Sequence, residues 1–501
     1  MSEKYDRQLR LWAQRGQYLL RHSNVCLLGA TTTGTEALKN LVLPGCGKFT
    51  IVDSSKVTTS DLETNFFLTQ QDLGSNKAAA VVRNLNELNP DVEGRALDIS
   101  LTNSLVEDTH FWSQFSLIII ASSWHLQKVL TLADTLWHMK IPLIHVSTIG
   151  FYGYMRIYIK EHTITESHPE SFSDFRIDYP WKELKEMSDS VDLEADDKEH
   201  IPYLLILIKA LDRWKFIHEK QPSTPKEKAQ FKQLCSELQS DLSLQNFEEA
   251  VTFSWRASQV STQLPENVKT IINDPILDNL SLSTPLFWIY VKALKLFIEK
   301  NGQLPPLPGV LPDLHSSTET YIKLQHIYKA KAEEDINQFT SLVSQILLSI
   351  GRDADHLDHE SIRIFCKNSR YLFLQRGSKT LIDPRLIREL GNTPLLSLFI
   401  AFIATHKFMD SHSGVIPQDS DYNELISIVQ VLLKSEKVPD FLSDIVKEIL
   451  RSKGTQLHNI CSFMGGIVGQ EAVKLITGQY IPLENSLVFD GINSCTEKWK
   501  I

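Results

Sequence analysis

Residues 29 to 53 have the spacing of a phosphate-binding loop followed by a ribose-binding acid. The chain reads GATTTG from Gly29 to Gly34, between a short apolar run and a helical pattern, and Asp53 ends the next apolar run. In a G-x-G-x-x-G loop the glycines let the backbone approach a phosphate at a helix N-terminus. Thr31 places a branched side chain at the middle glycine position. We therefore expect a nucleotide-binding fold that has stopped using its own pocket.

The pattern around this loop alternates between strand and helix. Apolar runs predict strands over 25–28, 49–52, 117–121 and 143–146, and helical periodicity predicts helices over 34–43, 77–88 and 126–138. Such βα alternation predicts an α/β fold with a parallel, doubly wound, Rossmann-like sheet.

The rest of the chain predicts a large insertion into this α/β domain. Residues 1–165 form its N-terminal part, and residues 166–453 are mostly helical in pattern. Residues 454–501 return to a glycine-marked helix over 463–478 and a strand over 486–489, which we expect to rejoin the first sheet. We interpret the glycine pair Gly465-Gly466 as a place of tight helix packing.

Composition excludes several classes of function. The net charge is −10, which argues against nucleic acid as the main partner, because binding phosphates requires a basic face. The six cysteines show no CxxC or Cys/His pairing, so neither a disulfide framework nor a metal site is indicated. No apolar run reaches the length of a membrane span, and the N-terminus is charged. We expect a soluble protein of the cytoplasm and nucleus.

Three further segments resemble one family. YDRQLRLW from Tyr5 to Trp12, DLGSNKA from Asp72 to Ala78, and GGIVGQEAVKLITGQYIPL from Gly465 to Leu483 are similar to the ThiF-type adenylation domain of the ubiquitin-activating enzyme superfamily. The resemblance implies ATP as the ligand of such a domain, with no nicotinamide. It also implies dimers built from two related adenylation domains.

The chain departs from the active members of that superfamily where they hold ATP. Where they read S-N-L-N-R-Q-F, residues 60–66 read SDLETNF, so Glu63 and Thr64 replace an Asn and an Arg. We expect Glu63 to repel a triphosphate. An Asp that serves the metal-bound nucleotide is also missing, since residues 121–124 read ASSW. We expect no cofactor to bind this chain, and the residues that remain of the site are vestigial: Gly29, Gly34, Asp53 and Lys77.

No cysteine lies in the P-x-C-T context that the superfamily uses for its thioester nucleophile. Cys366, beside Lys367 in the segment FCKN, is the least unlikely candidate, and we interpret it as a buried structural thiol.

The middle of the chain resembles a narrower group. Residues 309–335, FCKN at 365–368 and HIPY at 200–203 are similar to the regulatory, non-cysteine subunits of neddylation activating enzymes. The resemblance implies a heterodimer whose catalytic subunit binds ATP and Mg, adenylates a Nedd-type ubiquitin-like modifier, and passes it to a conjugating enzyme. Two alternatives stay open, the corresponding subunit of the SUMO-activating enzyme and a Rossmann-type oxidoreductase.

Two sets of residues are candidates for contact with such a partner. The resemblance implies that Arg7 reaches ATP held by the other subunit, as arginine fingers do; a surface arginine is the simpler alternative. Tyr321, Leu324 and Tyr328 recur at helical i, i+3, i+7 spacing and predict an apolar face that binds the partner, with burial in the core as the alternative.

Overall fold

The computed structural model describes residues 3–121, 126–167, 174–195, 197–238, 244–355, 357–379 and 394–501. The chain divides into two compact units. The first comprises Met1–His162 and Leu374–Ile501, and the second comprises Thr163–Phe373.

The strands form an eight-stranded sheet in the first unit and a separate pair. They are β1 (Asn24–Leu28), β2 (Lys48–Val52), β3 (Glu93–Leu97), β4 (Leu117–Ile120), β5 (Leu143–Ile149), β6 (Tyr152–Tyr158), β7 (Glu161–Ile164), β8 (Phe373–Arg376), β9 (Ser486–Asp490) and β10 (Cys495–Trp499). The large sheet has the order β10-β9-β6-β5-β4-β1-β2-β3, and β7 pairs with β8. Strands β1 to β5 are parallel, whereas β6, β9 and β10 pair antiparallel. The predicted α/β fold with a doubly wound sheet is confirmed.

The first seven helices alternate with the parallel strands. They are α1 (Asp6–Arg21), α2 (Thr32–Val42), α3 (Thr59–Thr64), α4 (Lys77–Asn86), α5 (Asn103–Glu107), α6 (Thr109–Trp112) and α7 (Leu126–Met139). Strand β4, with the sequence LIII, is buried at every position, as expected for a parallel strand covered on both faces. Asn76 caps α4 through its side chain, which accepts a hydrogen bond from the Ala79 amide.

The second unit is mostly helical. Its helices are α8 (Lys182–Ser190), α9 (Tyr203–His218), α10 (Pro225–Glu237), α11 (Gln245–Thr252), α12 (Glu266–Ile272), α13 (Leu286–Lys300), α14 (Thr318–Ser349) and α15 (His359–Lys367). Nearly every side chain in the first half of α9 is buried, and this helix forms the centre of one core of the unit.

The C-terminal part of the chain completes the first unit. Its helices are α16 (Pro394–Ser411), α17 (Tyr422–Leu433), α18 (Asp440–Ser452) and α19 (His458–Thr477). Strand β9 pairs with β6, so the predicted return of the C-terminal segment to the first sheet is confirmed.

The predicted end of the insertion at residue 453 differs from the structure, in which the second unit ends at Phe373. The reason is α16, whose sequence LLSLFIAFIA is apolar on all sides. A helix of this kind must be buried. It shares a core with Tyr154 of β6 and Val488 of β9, so α16 to α18 belong to the first unit.

Two features are absent from the described part of the chain. No helix there combines the length and the apolar character that crossing a membrane requires. Within the same residues, no group of three or more His, Cys, Asp or Glu side chains is arranged to hold a metal ion.

Candidate functional site

A cavity of about 360 Å³ lies in the first unit where β1, β4 and β5 end. Ligands of doubly wound sheets bind at the carboxyl ends of such strands. Thr31 and Thr32 follow β1, Ala121 follows β4, and Val146 to Ile149 lie in β5; all of them line the cavity. The structure thus brings the damaged loop to the place where a nucleotide would bind.

Two backbone donors at the N-terminus of α2 have hydrogen-bond partners within the chain. The Thr31 side chain accepts a hydrogen bond from the Gly34 amide at 3.2 Å, which is an ordinary helix cap. The Thr32 amide donates to Oε1 of Gln456 at 3.1 Å, and Nε2 of Gln456 donates to Oγ1 of Thr148 at 3.2 Å. A helix N-terminus binds phosphate through its free N–H groups. Gln456 occupies one of them.

The fold itself requires glycine at Gly29 and at Gly34, without involving a ligand. Gly29 has a φ of 91°, in the left-handed region that favours glycine. A Cβ at Gly34 would lie 2.9 Å from both the Ala121 Cβ and the Gly29 carbonyl oxygen. The left-handed backbone therefore explains Gly29, and close packing of α2 on the neighbouring strands explains Gly34.

Asp53 holds the loop. Its Oδ2 accepts a hydrogen bond from the Ala30 amide at 2.8 Å, and its Oδ1 accepts one from the Ser55 amide at 2.8 Å. Two carboxylate lone pairs are therefore committed to the backbone on either side of the site.

The positive charge of Lys77 is neutralised inside the cavity. Its Nζ lies 2.7 Å from Oδ1 of Asp61, and both side chains are mostly buried. Burial alone would raise the pKa of Asp61, but hydrogen bonds from Lys77 and Thr58 outweigh it and hold this pKa below its ordinary value. Asp61 is therefore ionised at neutral pH, and Lys77 is already paired.

The predicted role of Glu63 is wrong. Its side chain is exposed and does not line the cavity, because α3 presents Ser60, Asp61 and Thr64 to that side. The carboxylate that opposes a phosphate is that of Asp61. Thr64 does line the cavity, and its Oγ1 lies 3.1 Å from Oγ1 of Thr32. The predicted loss of an Asp in the segment 121–124 falls on residues 122–124, which lie outside the described residues.

Taken together, these contacts engage groups that a bound nucleotide would otherwise contact. A triphosphate would have to displace Gln456 from the helix N-terminus and break the Lys77–Asp61 ion pair. The role of Gln456 could not be identified from the sequence, because Gln456 lies 424 positions from Thr32 and no motif around it indicates this contact.

The cysteines of this chain are mostly buried. Five of the six are buried, and Cys495 is partly exposed. Burial raises the pKa of Cys46 and of Cys235 to about 12, and it also raises the pKa of Cys366. A thiol of this kind is protonated and inert at neutral pH. The interpretation of Cys366 as a buried structural thiol is confirmed.

Arg7 lies on α1 with its side chain exposed, and it forms no ion pair with another described residue. The neighbouring Tyr5 is 2% exposed, and its hydroxyl donates to Oδ2 of Asp91 at 2.9 Å. The start of α1 is thus anchored to the first unit while the Arg7 guanidinium faces solvent.

The predicted partner face on α14 is not a surface. Leu324 and Tyr328 are 0% exposed and belong to the core around α9, and the Tyr328 hydroxyl donates to the Phe175 carbonyl at 2.5 Å. Tyr321 is partly buried, with its hydroxyl 3.5 Å from the Pro312 carbonyl oxygen. The face that we predicted to bind a partner instead packs inside the second unit.

The two adjacent glycines of α19, Gly465 and Gly466, have different surroundings. A Cβ at Gly465 would lie 2.7 Å from the Glu36 Cβ on α2, so tight helix packing is confirmed there. A Cβ at Gly466 would meet no other described part of the chain within 4 Å, so packing among the described residues does not explain this glycine.

Comparisons with known proteins agree with this geometry. The model of the ThiF family matches residues 5–501. The NEDD8-activating enzyme E1 regulatory subunit of Xenopus laevis is 36% identical over 519 residues, covering 98% of this chain and 97% of the relative. The subunit of the same name from Drosophila melanogaster is 36% identical, with coverage of 98% and 96%. The Arabidopsis thaliana subunit AXR1 is 34% identical, with coverage of 99% and 96%. The match to the ThiF family, together with full-length similarity to these proteins, shows that the chain belongs to the family of NEDD8-activating enzyme E1 regulatory subunits.

Proposed function

We propose that this chain is the regulatory subunit of a heterodimeric activating enzyme for a NEDD8-type modifier. In this proposal a catalytic partner subunit binds ATP and Mg, adenylates the modifier and carries the thioester cysteine. The complex then passes the modifier to a conjugating enzyme. This chain itself binds no cofactor.

The observation that carries the proposal is the hydrogen bond from the Thr32 amide to Gln456. It uses a donor that a phosphate would need, within a fold that is otherwise complete. A ThiF fold with this donor already engaged supports a role in a complex, and the names of its relatives support which complex.

Arg7 is the residue of this chain that we assign to the chemistry. An exposed guanidinium on an anchored helix can reach a nucleotide held by another subunit. There it would stabilise the charge that develops as the acyl-adenylate forms.

Location in the cytoplasm and nucleus is part of the same proposal. It is supported by the cysteines, all six of which are free thiols. Free thiols are typical of reducing compartments.

ATP–pyrophosphate exchange tests the proposal. The isolated chain should show none, and exchange should occur when the catalytic subunit and the NEDD8-type modifier are added. Replacing the modifier with a SUMO-type one separates this function from the SUMO-activating alternative. Strong exchange by the isolated chain, or equal activity with the SUMO-type modifier, would contradict the proposal. Titration with a nicotinamide cofactor should leave the protein's near-ultraviolet spectrum unchanged, which tests the oxidoreductase alternative.

A further inference from the structure

Helix α1 contains a strained kink a few residues after Arg7. Ala13 has a φ of 55° and a ψ of −174°, a backbone conformation that glycine adopts readily and alanine does not. Trp12 is also outside the helical range, so the kink ends the first part of the helix. We call residues 5–11 the N-terminal segment. Backbone strain persists only where the surroundings enforce it, and it is concentrated at functional sites.

The surroundings of the kink hold it through side-chain hydrogen bonds. Nε1 of Trp12 donates to Oε1 of Gln17 at 2.9 Å, and Nε2 of Gln17 donates to the Pro44 carbonyl at 3.0 Å. Nε2 of Gln479, just after α19, donates to the Trp12 carbonyl at 3.1 Å. Gln17 is completely buried. The kink is therefore fixed to the body of the first unit, with Gln17 at the centre of the contacts.

The other end of the N-terminal segment is anchored as well. The Tyr5 hydroxyl, which donates to Asp91, also accepts a hydrogen bond from Nδ2 of Asn89 at 3.1 Å. Asn89 is completely buried, and its Nδ2 donates to the Val42 carbonyl at 2.8 Å. Tyr5 is therefore fixed to the end of α2 and to the residues before β3.

Two glycines leave the space that these contacts require. A Cβ at Gly45 would lie 2.8 Å from the Tyr5 hydroxyl oxygen. A Cβ at Gly16 would lie 2.7 Å from the Trp12 Cβ. A larger residue at either position would displace one end of the N-terminal segment.

Arg7 lies between these two anchors with its side chain exposed. Tyr5 and Gln17 are buried, so they offer no surface that a second subunit or its nucleotide could contact. What they do is fix the backbone that carries the Arg7 guanidinium. Such placement matters for chemistry, because an error of about 1 Å in the position of a group can cost roughly a hundredfold in rate.

We propose that Tyr5 and Gln17 are positioning residues for Arg7, which hold the N-terminal segment rigid so that the guanidinium is in place before the subunits meet. This rests on the proposed function, in which Arg7 reaches the nucleotide of the other subunit. The alternative is a segment that is mobile in the isolated chain and becomes ordered only on the partner.

Limited proteolysis of the isolated full chain tests the anchoring without any activity. Trypsin cleaves after Arg7 and Arg10 only when the N-terminal segment detaches from the unit, so the rate of cleavage follows the detached population. Tyr5→Phe removes one anchoring hydroxyl and should speed this cleavage about three- to tenfold, as followed by mass spectrometry. Equal rates in the wild type and Tyr5→Phe would overturn the proposal.

ATP–pyrophosphate exchange by the complex tests the consequence for the reaction. Tyr5→Phe and Gln17→Leu should each lower kcat about three- to tenfold and leave KM for ATP unchanged, because the other subunit holds the nucleotide. In an Arg7→Ala background neither change should slow exchange further, since no guanidinium is left to position.

Trp112→Phe is the control for a loss of stability alone. Trp112 is completely buried in a different core of the first unit, and its Nε1 donates to the Leu105 carbonyl at 2.8 Å. This variant should lower the melting temperature of the chain, as the two positioning variants do, without slowing exchange. If it slowed exchange as much as Tyr5→Phe, lost stability would explain the effect and the proposal would be wrong.

The outcomes distinguish the positioning role from the proposed function. If Arg7→Ala exchanges as fast as the wild type, the role of Arg7 in the proposed function is wrong, and the positioning role falls with it. If Arg7→Ala is slow but Tyr5→Phe and Gln17→Leu exchange at the wild-type rate, only the positioning role is wrong. Equal slowing by Tyr5→Phe with and without Arg7 would show that Tyr5 acts through another group, which also overturns the proposal.

Discussion

At the scale of single residues, three polar groups at or near the cavity are engaged within the chain by hydrogen bonds or an ion pair. Gln456 holds the Thr32 amide, Asp53 holds the Ala30 amide, and Asp61 pairs with Lys77. We propose that these contacts oppose nucleotide binding, because a nucleotide would have to replace them. Arg7 differs from them because its side chain is exposed without an ion pair among the described residues.

We predict that Arg7→Ala leaves the heterodimer intact and slows adenylation about tenfold to a thousandfold, equal to roughly 1.4 to 4 kcal/mol of lost transition-state stabilisation. Arg7→Lys should rescue this only in part, because a point charge cannot reproduce the planar guanidinium. The measurement is ATP–pyrophosphate exchange by the complex, beside a titration of subunit affinity.

Arg10→Ala is the matched control for Arg7, since Arg10 is exposed on the same helix and pairs with Asp6 at 2.9 Å. It should change neither exchange nor affinity. If ATP–pyrophosphate exchange were unchanged in a well-formed Arg7→Ala heterodimer, Arg7 would be a surface residue with no role in adenylation.

At the scale of elements, α14 stabilises the second unit from within. Leu324→Ala should lower the free energy of unfolding by about 2 to 5 kcal/mol, because a buried leucine leaves a cavity when it is shortened. Tyr328→Phe should cost about 1 to 3 kcal/mol, because the buried Phe175 carbonyl loses its donor. Urea unfolding of the purified chain measures both effects.

Ile322→Ala is the control on the same helix, because Ile322 is 46% exposed. Its effect should stay within about 0.5 kcal/mol. If Leu324→Ala were as mild as Ile322→Ala, the assignment of Leu324 to the core would be wrong.

At the scale of the whole molecule, two buried histidines make stability depend on pH. His145 in β5 and His406 in α16 are 1% and 2% exposed, with ring centroids 5.3 Å apart. Burial lowers the pKa of His406 to about 4. Burial, with the charges of His406 and Arg156, lowers the pKa of His145 well below its ordinary value.

The direction in which stability changes with pH follows from the linkage between proton binding and folding. Between the ordinary histidine pKa of about 6.5 and the folded value of about 4, the unfolded chain binds the proton more readily, so stability falls as the pH falls through this range. We predict that His406 contributes roughly 2 kcal/mol of the loss between pH 7 and pH 5. His406→Phe should reduce the loss by about that amount in urea unfolding at the two pH values.

His110→Gln serves as the control, since His110 is exposed on α6. It should leave the dependence on pH as in the wild type. If the wild type and His406→Phe lost equal free energy of unfolding between the two pH values, the prediction that His406 takes up a proton on unfolding would be wrong.

The alternation of strands and helices could be read from the sequence because it depends on residues close together in the chain. Apolar runs and helical periodicity located β1, β4 and α4 to within two or three residues, and the damage at Thr31 was visible in six consecutive residues. The lack of a thioester context around each cysteine is equally local. These local features were sufficient to predict the fold class, and they carry the proposal that the nucleotide loop is inactive.

Only the tertiary structure decided what each side chain faces. Tyr321, Leu324 and Tyr328 have the periodicity of an apolar face, but periodicity is the same whether a helix packs on its own core or on a partner. Glu63 points outward because α3 turns Asp61 toward the cavity, and α16 joins the first unit because it covers β6 and β9. Gln456 reaches the Thr32 amide across 424 positions. Contacts of this range depend on how the elements assemble, so no local pattern could contain them.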